Sequence, residues 1–459
     1  MDGAKVVLAL AVLVSCRGAS APADDPALTS IDEGHGGQDA GAEPTGGTGG
    51  SAAATGSGGT TKAEGGGAPF TPEPIPSVSA DVPPLCADPS PANYFQFLDD
   101  TCTARMWPSY VDRDFSCPVT DASTTVPLAE GGDAVYRPVT APVVVENVLG
   151  DVVPAALFVT VILIRRVGGV PHVRYLSNGT AYAPYQPWST TKFLAAANAA
   201  AHLRIQSGYQ VGLTARVGSF PLGDLVTSLH NYDDSPFSSN SLGRYFHDIG
   251  GRTRANGLIH DDWLERPAAE TFGGNYGAAA PSLGYTFAEG GGASVTVSPD
   301  PTSGPSNFLS SFTMAEALKR LVLHREVPDQ RLPGIQWADV QTLLYGTEGG
   351  TAYGPWGGMS ADTAIYLQTG HDIAYLDQRA QGRWRVFSKL GLGTQGQFLN
   401  VGYGCFPVLD PEGAPASGWG REMVIATHLA SGGATWSARD RRLAEAYRAI
   451  VSRVIDGRL

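Results

Sequence analysis

Residues Phe158, Val159, Thr160, Val161, Ile162, Leu163 and Ile164 form an almost unbroken apolar run of strand length. Aliphatic and β-branched residues without polar alternation predict a strand buried on both faces. Residues 170–176 repeat the character after Gly168 and Gly169, so they predict a hairpin partner. The run is too short, and too close to Arg165 and Arg166, to span a membrane. Three further strands are expected late in the chain, over 383–390, 397–408 and 422–429. Between the two groups the pattern is helical. Phe193, Leu194 and the alanines up to Ala201 read as a helix small enough to sit inside a domain. Residues 221–229 and 242–249 read as helices, as do 312–325, where Ala315, Leu318, Leu321 and Val322 keep a helical period. Residues 439–455 place Leu443, Tyr447, Ile450, Val451 and Val454 on one side, with Ser437 expected as the cap. Two strands, a helical block, three strands and a last helix predict an α/β (α+β) fold. Its sheet is antiparallel and five-stranded, flanked by helices, and accompanied by an all-helical subdomain.

The N-terminal part reads differently. Residues 17–83 are dominated by Gly, Ser, Thr, Ala and Pro, too apolar-poor to offset chain entropy, and so are expected to be a tether. Residues 84–144 form a cysteine-containing segment, where 92–106 could hold a short helix, and 145–459 form the main domain. Residues 273–307, rich in Gly, Ser and Pro, are expected to be a long surface loop. A formal net charge of −13 disfavours nucleic acid as a partner. None of the nine histidines pairs at a metal-ligand spacing, so neither metal nor cofactor is expected.

Residues 1–16 read as an address: Lys5, a short apolar run, then Leu13, Val14, Ser15 and Cys16. That ending resembles the bacterial lipobox, which implies lipidation of Cys16 and an anchor without a transmembrane helix. Arg17 stands where an inner-membrane retention signal has Asp, so the resemblance implies the outer membrane. An ordinary signal peptide cleaved near Ala19, Ser20 and Ala21 is the other reading. Cys86, Cys102, Cys117 and Cys405 remain, enough for two disulfides in an oxidising compartment. Three of them crowd one short segment, so one bridge is expected to be local and Cys405 to tie that segment to the main domain.

Three short motifs carry the chemistry. Ser189 and Lys192 stand three residues apart at an expected helix start, which places both side chains on one face. A serine there feels the positive end of the helix dipole, and a partly buried neutral lysine could take its proton. Alone, the pair is described at least as well by a capping serine with a solvated lysine. Ser238 and Asn240 supply a second hydroxyl and an amide, or a capped turn before the helix at 242–249. Lys389 and Gly391 end an expected strand, where a cation could lower the proton affinity of Lys192 and a glycine allows close backbone approach. Of the five lysines, only Lys192, Lys319 and Lys389 lie beyond the N-terminal region, and two of those occupy motif positions.

Together the motifs resemble those of the penicillin-recognising serine hydrolases, the class A β-lactamases and DD-peptidases, over residues 145–459. These carry Ser-x-x-Lys, Ser-x-Asn and Lys-[Ser/Thr]-Gly in this order. The resemblance implies a β-lactamase-like fold with Ser189 as acylated nucleophile, Lys192 as general base, Ser238 as proton shuttle and Asn240 as a substrate-amide ligand. The backbone N–H groups of Ser189 and Leu392 would form the oxyanion hole. The implied protein is a monomeric exported hydrolase that acts on a small-molecule or peptidoglycan-derived amide or ester and touches the membrane only through its lipid.

Two departures stand out. Leu390 replaces the family's Thr or Ser, whose hydroxyl helps bind a substrate carboxylate. The Glu-x-x-x-Asn loop that supplies the deacylation base is matched only by Glu270 and Asn275, one residue too far apart, and Glu265 has no matching Asn. A catalytically degenerate lipoprotein of this fold, binding a cell-envelope ligand, is the alternative.

Overall fold

The computed structural model describes residues 107–459 apart from 232–235, 302–306, 351–354, 363–372, 394–395, 417–419 and 431–435. Cys16, Cys86, Cys102, the tether and the helix expected over 92–106 lie outside the described residues.

The sheet is built from β1 (Leu157–Val167), β2 (Val170–Ser177), β3 (Arg385–Leu392), β4 (Phe398–Phe406) and β5 (Arg421–Leu429) in the order β3-β4-β5-β1-β2, all antiparallel. The two early strands thus join the three late ones through the β5–β1 pairing, as expected. Two short strands enlarge the predicted five-stranded sheet to seven, Arg137–Pro138 on the β2 edge and Val145–Glu146 parallel to β2. Gly168 and Gly169, with φ of 59° and 79°, make the two-residue turn between β1 and β2.

Alternation along β1 assigns the two faces. Val159, Val161 and Leu163 join a core behind the sheet, and Ile162 and Ile164 join the larger core in front. The rear core is closed by the last helix, Trp436–Ile455, through the predicted stripe Leu443, Tyr447, Ile450, Val451 and Val454. Ser437 lies inside the first turn of that helix and is not its cap, because the helix begins one residue earlier.

In front lie α1 (Lys192–Gln206), α2 (Leu222–Asn231), α3 (Ser239–Gly250) and α4 (Ser311–Val322). The alanine-rich α1 is buried almost all round, which only small side chains permit at close helix packing. Lys319, the one late lysine outside the motifs, is buried on α4, where it donates to Glu316 at 2.8 Å and to the Tyr175 hydroxyl at 3.0 Å. It therefore serves the packing of α4 on the sheet.

Two differences from expectation have plain causes. The stretch 273–307 is not all loop, because Thr286–Ala288 and Ser294–Thr296 form a hairpin. Phe287, Val295 and Val297 alternate with polar residues there, and Phe287 is fully buried. The helix Trp337–Tyr345 was not expected from the sequence; it starts on a reciprocal cap between Gln336 and Asp339.

Cys117 and Cys405 are joined in a disulfide, which ties the cysteine-containing segment to β4. Among the described residues no helix is long and apolar enough to cross a membrane.

Candidate active site

The site begins at a strained residue. Trp188 has a φ of 47°, a left-handed conformation that bulky side chains rarely adopt. It opens a single 3₁₀ turn, Trp188–Thr191, which runs directly into α1. Ser189 is half-buried in this turn. Thr190 N–H already bonds Pro187 O, and Lys192 N–H bonds Ser189 O. The N–H of Ser189 belongs to the helix-start donors that the helix itself leaves unused.

Lys192 follows, fully buried between α1 and α3. Its Nζ donates to Asn240 Oδ1 at 2.7 Å and to Ser239 Oγ at 2.9 Å. Asn240 is exposed, and its side-chain oxygen holds the lysine. Gly243 makes the space: a Cβ there would lie 3.0 Å from both Lys192 Cε and Tyr276 Cδ2. The Tyr276 ring lies 5.4 Å from Lys192 Nζ, and its hydroxyl bonds Thr191 Oγ1 at 2.9 Å. Buried Asn307 links Thr191 Oγ1 to the Gly274 N–H, so the 270s segment is stitched to the turn that carries Ser189.

Ser238 does not meet Lys192 through its side chain. It is the N-cap of α3, accepting from Ser241 N–H at 3.2 Å and donating to the Ser241 hydroxyl at 2.9 Å. Ser239 reaches the lysine instead, and its hydroxyl donates a hydrogen bond to Leu229 O at 2.6 Å. The helix begins at the second serine of the pair, and it is Ser239, not the expected Ser238, that turns inward.

Lys389 lies within β3, not at its end, because the strand runs on to Leu392. It is fully buried, and its Nζ donates to His230 O at 3.1 Å. Burial lowers its pKa to about 8, with the nearby Asp362 carboxylate opposing the shift. Asp362 also accepts the Leu390 N–H at 2.8 Å. His230 beside them is held neutral to about pH 3, first by burial and then by the charges of Lys389 and Lys192. Leu390 itself joins the core behind the sheet, on the face away from Lys389.

The register of β3 on β4 fixes where Leu392 points. Gly393 N–H bonds Gln397 O, so that pair is a hydrogen-bonded one and Leu392↔Phe398 is not. Leu390 N–H, two residues earlier, leaves the sheet for Asp362. By the same parity the Leu392 N–H points off the free edge of β3. Gly391 lets that edge close on the turn that carries Ser189: a Cβ at 391 would meet Thr190 Cγ2 at 3.0 Å and Thr190 N at 3.1 Å. The close approach foreseen for Gly391 is thus made to the chain's own helix start.

Glu270 is buried and committed elsewhere. Its carboxylate accepts from Ser310 N–H at 3.0 Å, from the Ser310 and Thr313 hydroxyls, and from Arg266 Nε at 3.2 Å. Ser310 and Thr313 form the start of α4, which the negative charge also stabilises. Asn275 is exposed and closes a local turn on Gly277 N–H, and Glu265 is exposed.

The sequence matches no family profile and no curated protein. Among solved structures it is similar to a reconstructed class A β-lactamase of the last common ancestor of Gram-negative bacteria. The identity is 18%, over 64% of this chain and 92% of that one, with a TM-score of 0.37. An ancestral class A β-lactamase is 17% identical, over 64% of this chain and 93% of that one, with a TM-score of 0.33.

Proposed function

We propose that the protein is a serine hydrolase with a β-lactamase-like fold, which forms an acyl-enzyme on Ser189 from an amide or ester. One observation carries the reading: Lys192, one helical turn beyond Ser189, is fully buried and held by Asn240 and Ser239. Once neutral, Lys192 can take the Ser189 proton on its lone pair. Ser189 Oγ then bonds the substrate carbonyl carbon. Negative charge gathers on the carbonyl oxygen between the N–H groups of Ser189 and Leu392. The tetrahedral adduct collapses with cleavage of the C–N or C–O bond, and the leaving amine or alkoxide takes from Lys192 the proton that Ser189 gave up. Water attack on the ester returns the enzyme.

The substrate class we favour is β-lactam-like or peptidoglycan-peptide-like, with an anionic group drawn by Lys389. The commitment of Glu270 to α4 supports slow deacylation, so covalent capture in the cell envelope is the second reading. Export and lipidation at Cys16 belong to the same proposal; the lipobox-like Leu13–Cys16 ending and the Cys117–Cys405 disulfide support them. The test is intact-protein mass after exposure to a penicillin and to an activated ester, beside Ser189→Ala. A single acyl adduct on the wild type alone is expected. Equal labelling of both proteins, or none with any reagent and no hydrolysis, would remove the reading.

A further inference from the structure

Leu392 stands between two glycines, Gly391 and Gly393, and Ser189 stands between Trp188 and Thr190. The two triplets are pressed together. A Cβ at Gly391 would meet Thr190 and also Pro187 O at 3.2 Å. A Cβ at Gly393 would land on the side-chain oxygen of Gln397 and on the indole Nε1 of Trp188, and would lie 2.7 Å from the indole Cε2. Residues 391 and 393 point to the same side of β3, so both flanks of Leu392 receive the flanks of Ser189. The arrangement is held against two opposing preferences. Trp188 keeps its left-handed backbone, and its buried Nε1–H has no hydrogen-bond partner among the described residues. Strain of this kind persists only where surrounding packing overrides it.

We infer that Trp188, braced on Gly393, is a positioning residue that sets the gap between the Ser189 and Leu392 N–H groups, and with it the fit of the oxyanion pocket to a carbonyl oxygen. The inference rests on the acyl-transfer reading. Pro187 and Thr190 fix one side of the gap through Gly391; the indole fixes the other through Gly393. Either glycine given a side chain pushes the nucleophile turn off the strand edge. Loss of the indole lets it drift toward the strand.

The test compares acylation by 4-nitrophenyl phenylacetate with acylation by its thiono analogue, in which C=S replaces C=O. Sulfur is larger and a poorer acceptor, so the oxo-to-thiono rate ratio reads the pocket's fit. In the wild type the oxo ester is expected to react faster. In Trp188→Ala and Gly393→Ala the oxo rate should fall about tenfold to a hundredfold, with KM within about threefold and the thiono rate nearly unchanged. Trp188→Phe should recover part of the ratio and covers the case in which Gly393→Ala does not fold. Equal losses for both esters, or no loss for either, would overturn the inference while leaving acyl transfer standing. Failure of the wild type to be acylated by either ester would instead remove the parent reading, and this inference with it.

Discussion

Lys192 Nζ and Asn240 Oδ1 lie 2.7 Å apart, and this hydrogen bond ties the first turn of α1 to the first turn of α3. Both ends of the proposed machinery meet in it. Asn240→Ala leaves a buried amine short of an acceptor, so it should destabilise the protein by about 1–3 kcal/mol. Acylation should slow by about tenfold or more. Asn240→Asp keeps an acceptor but adds a charge that favours the ammonium form of Lys192. Its acylation rate should be low near neutrality and recover at higher pH, and urea melts with pH–rate profiles of the two variants check both statements.

Glu270 tests the boundary between chemistry and architecture. All the described bonds of its carboxylate go to Arg266 and to the start of α4. Glu270→Gln should therefore cost about 1–3 kcal/mol of stability through weakened capping and charge–dipole interactions. The lifetime of any acyl-enzyme should change by less than about tenfold, since removal of a true general base is worth more. A large rise in that lifetime with unchanged stability would make Glu270 the deacylation base after all.

These two sites also show what the sequence made legible. Lys192 and Asn240 were readable because their motif spacing survives whatever lies between, and the two kinds of core were readable because β1 is continuous while the last helix keeps its stripe. Ser239 was not readable: at a helix start, neighbouring residues differ by about a third of a turn, so a one-residue shift of the start exchanges cap and inward side chain. Glu270 could not be assigned from local spacing, since Ser310 and Thr313 lie 40 and 43 residues away in the chain. The backbone of Trp188 left no trace in composition, because a left-handed φ is expected of glycine and not of tryptophan.

The Cys117–Cys405 disulfide closes a long loop, with a sequence separation of 288. Long closures restrict the unfolded chain most, so the Cys117→Ser, Cys405→Ser protein should lose about 2–5 kcal/mol. Chemical denaturation of the full chain, with and without reductant, measures this. The wild type should approach the double variant when reduced, whereas a double variant as stable as the oxidised protein would contradict the staple.

Buried histidines set an acid limit. Burial lowers His247, His324 and His428 to about 4, and burial together with the nearby lysine charges lowers His230 to about 3. Unfolding lets each return toward its ordinary value near 6.5 and take up a proton. Between those limits the unfolded chain binds more protons, so stability is fully present above about pH 6.5 and is lost as pH falls toward 4. The urea midpoint should drop steeply across that interval, and a flat profile from pH 6.5 to 4.5 would refute the burial of these rings.

Lys389 yields the sharpest pH prediction. Its pKa is lowered to about 8 by burial, against the opposing Asp362 carboxylate. Below that pH the side chain is a cation and attracts an anionic substrate; above it the charge is gone. Chemistry at Lys192 also varies with pH, so the useful quantity is the ratio of KM values for an anionic ester and its neutral methyl-ester analogue. That ratio should rise about tenfold or less as pH passes from 7 to 9, with its midpoint near 8. Asp362→Asn removes the carboxylate that holds the proton on Lys389, so the midpoint should move to lower pH. It should stay near 8 if Asp362 acted only by ordering β3 through the Leu390 N–H. Lys389→Ala should abolish the pH dependence of the ratio while leaving a neutral ester subject to the Lys192 profile alone.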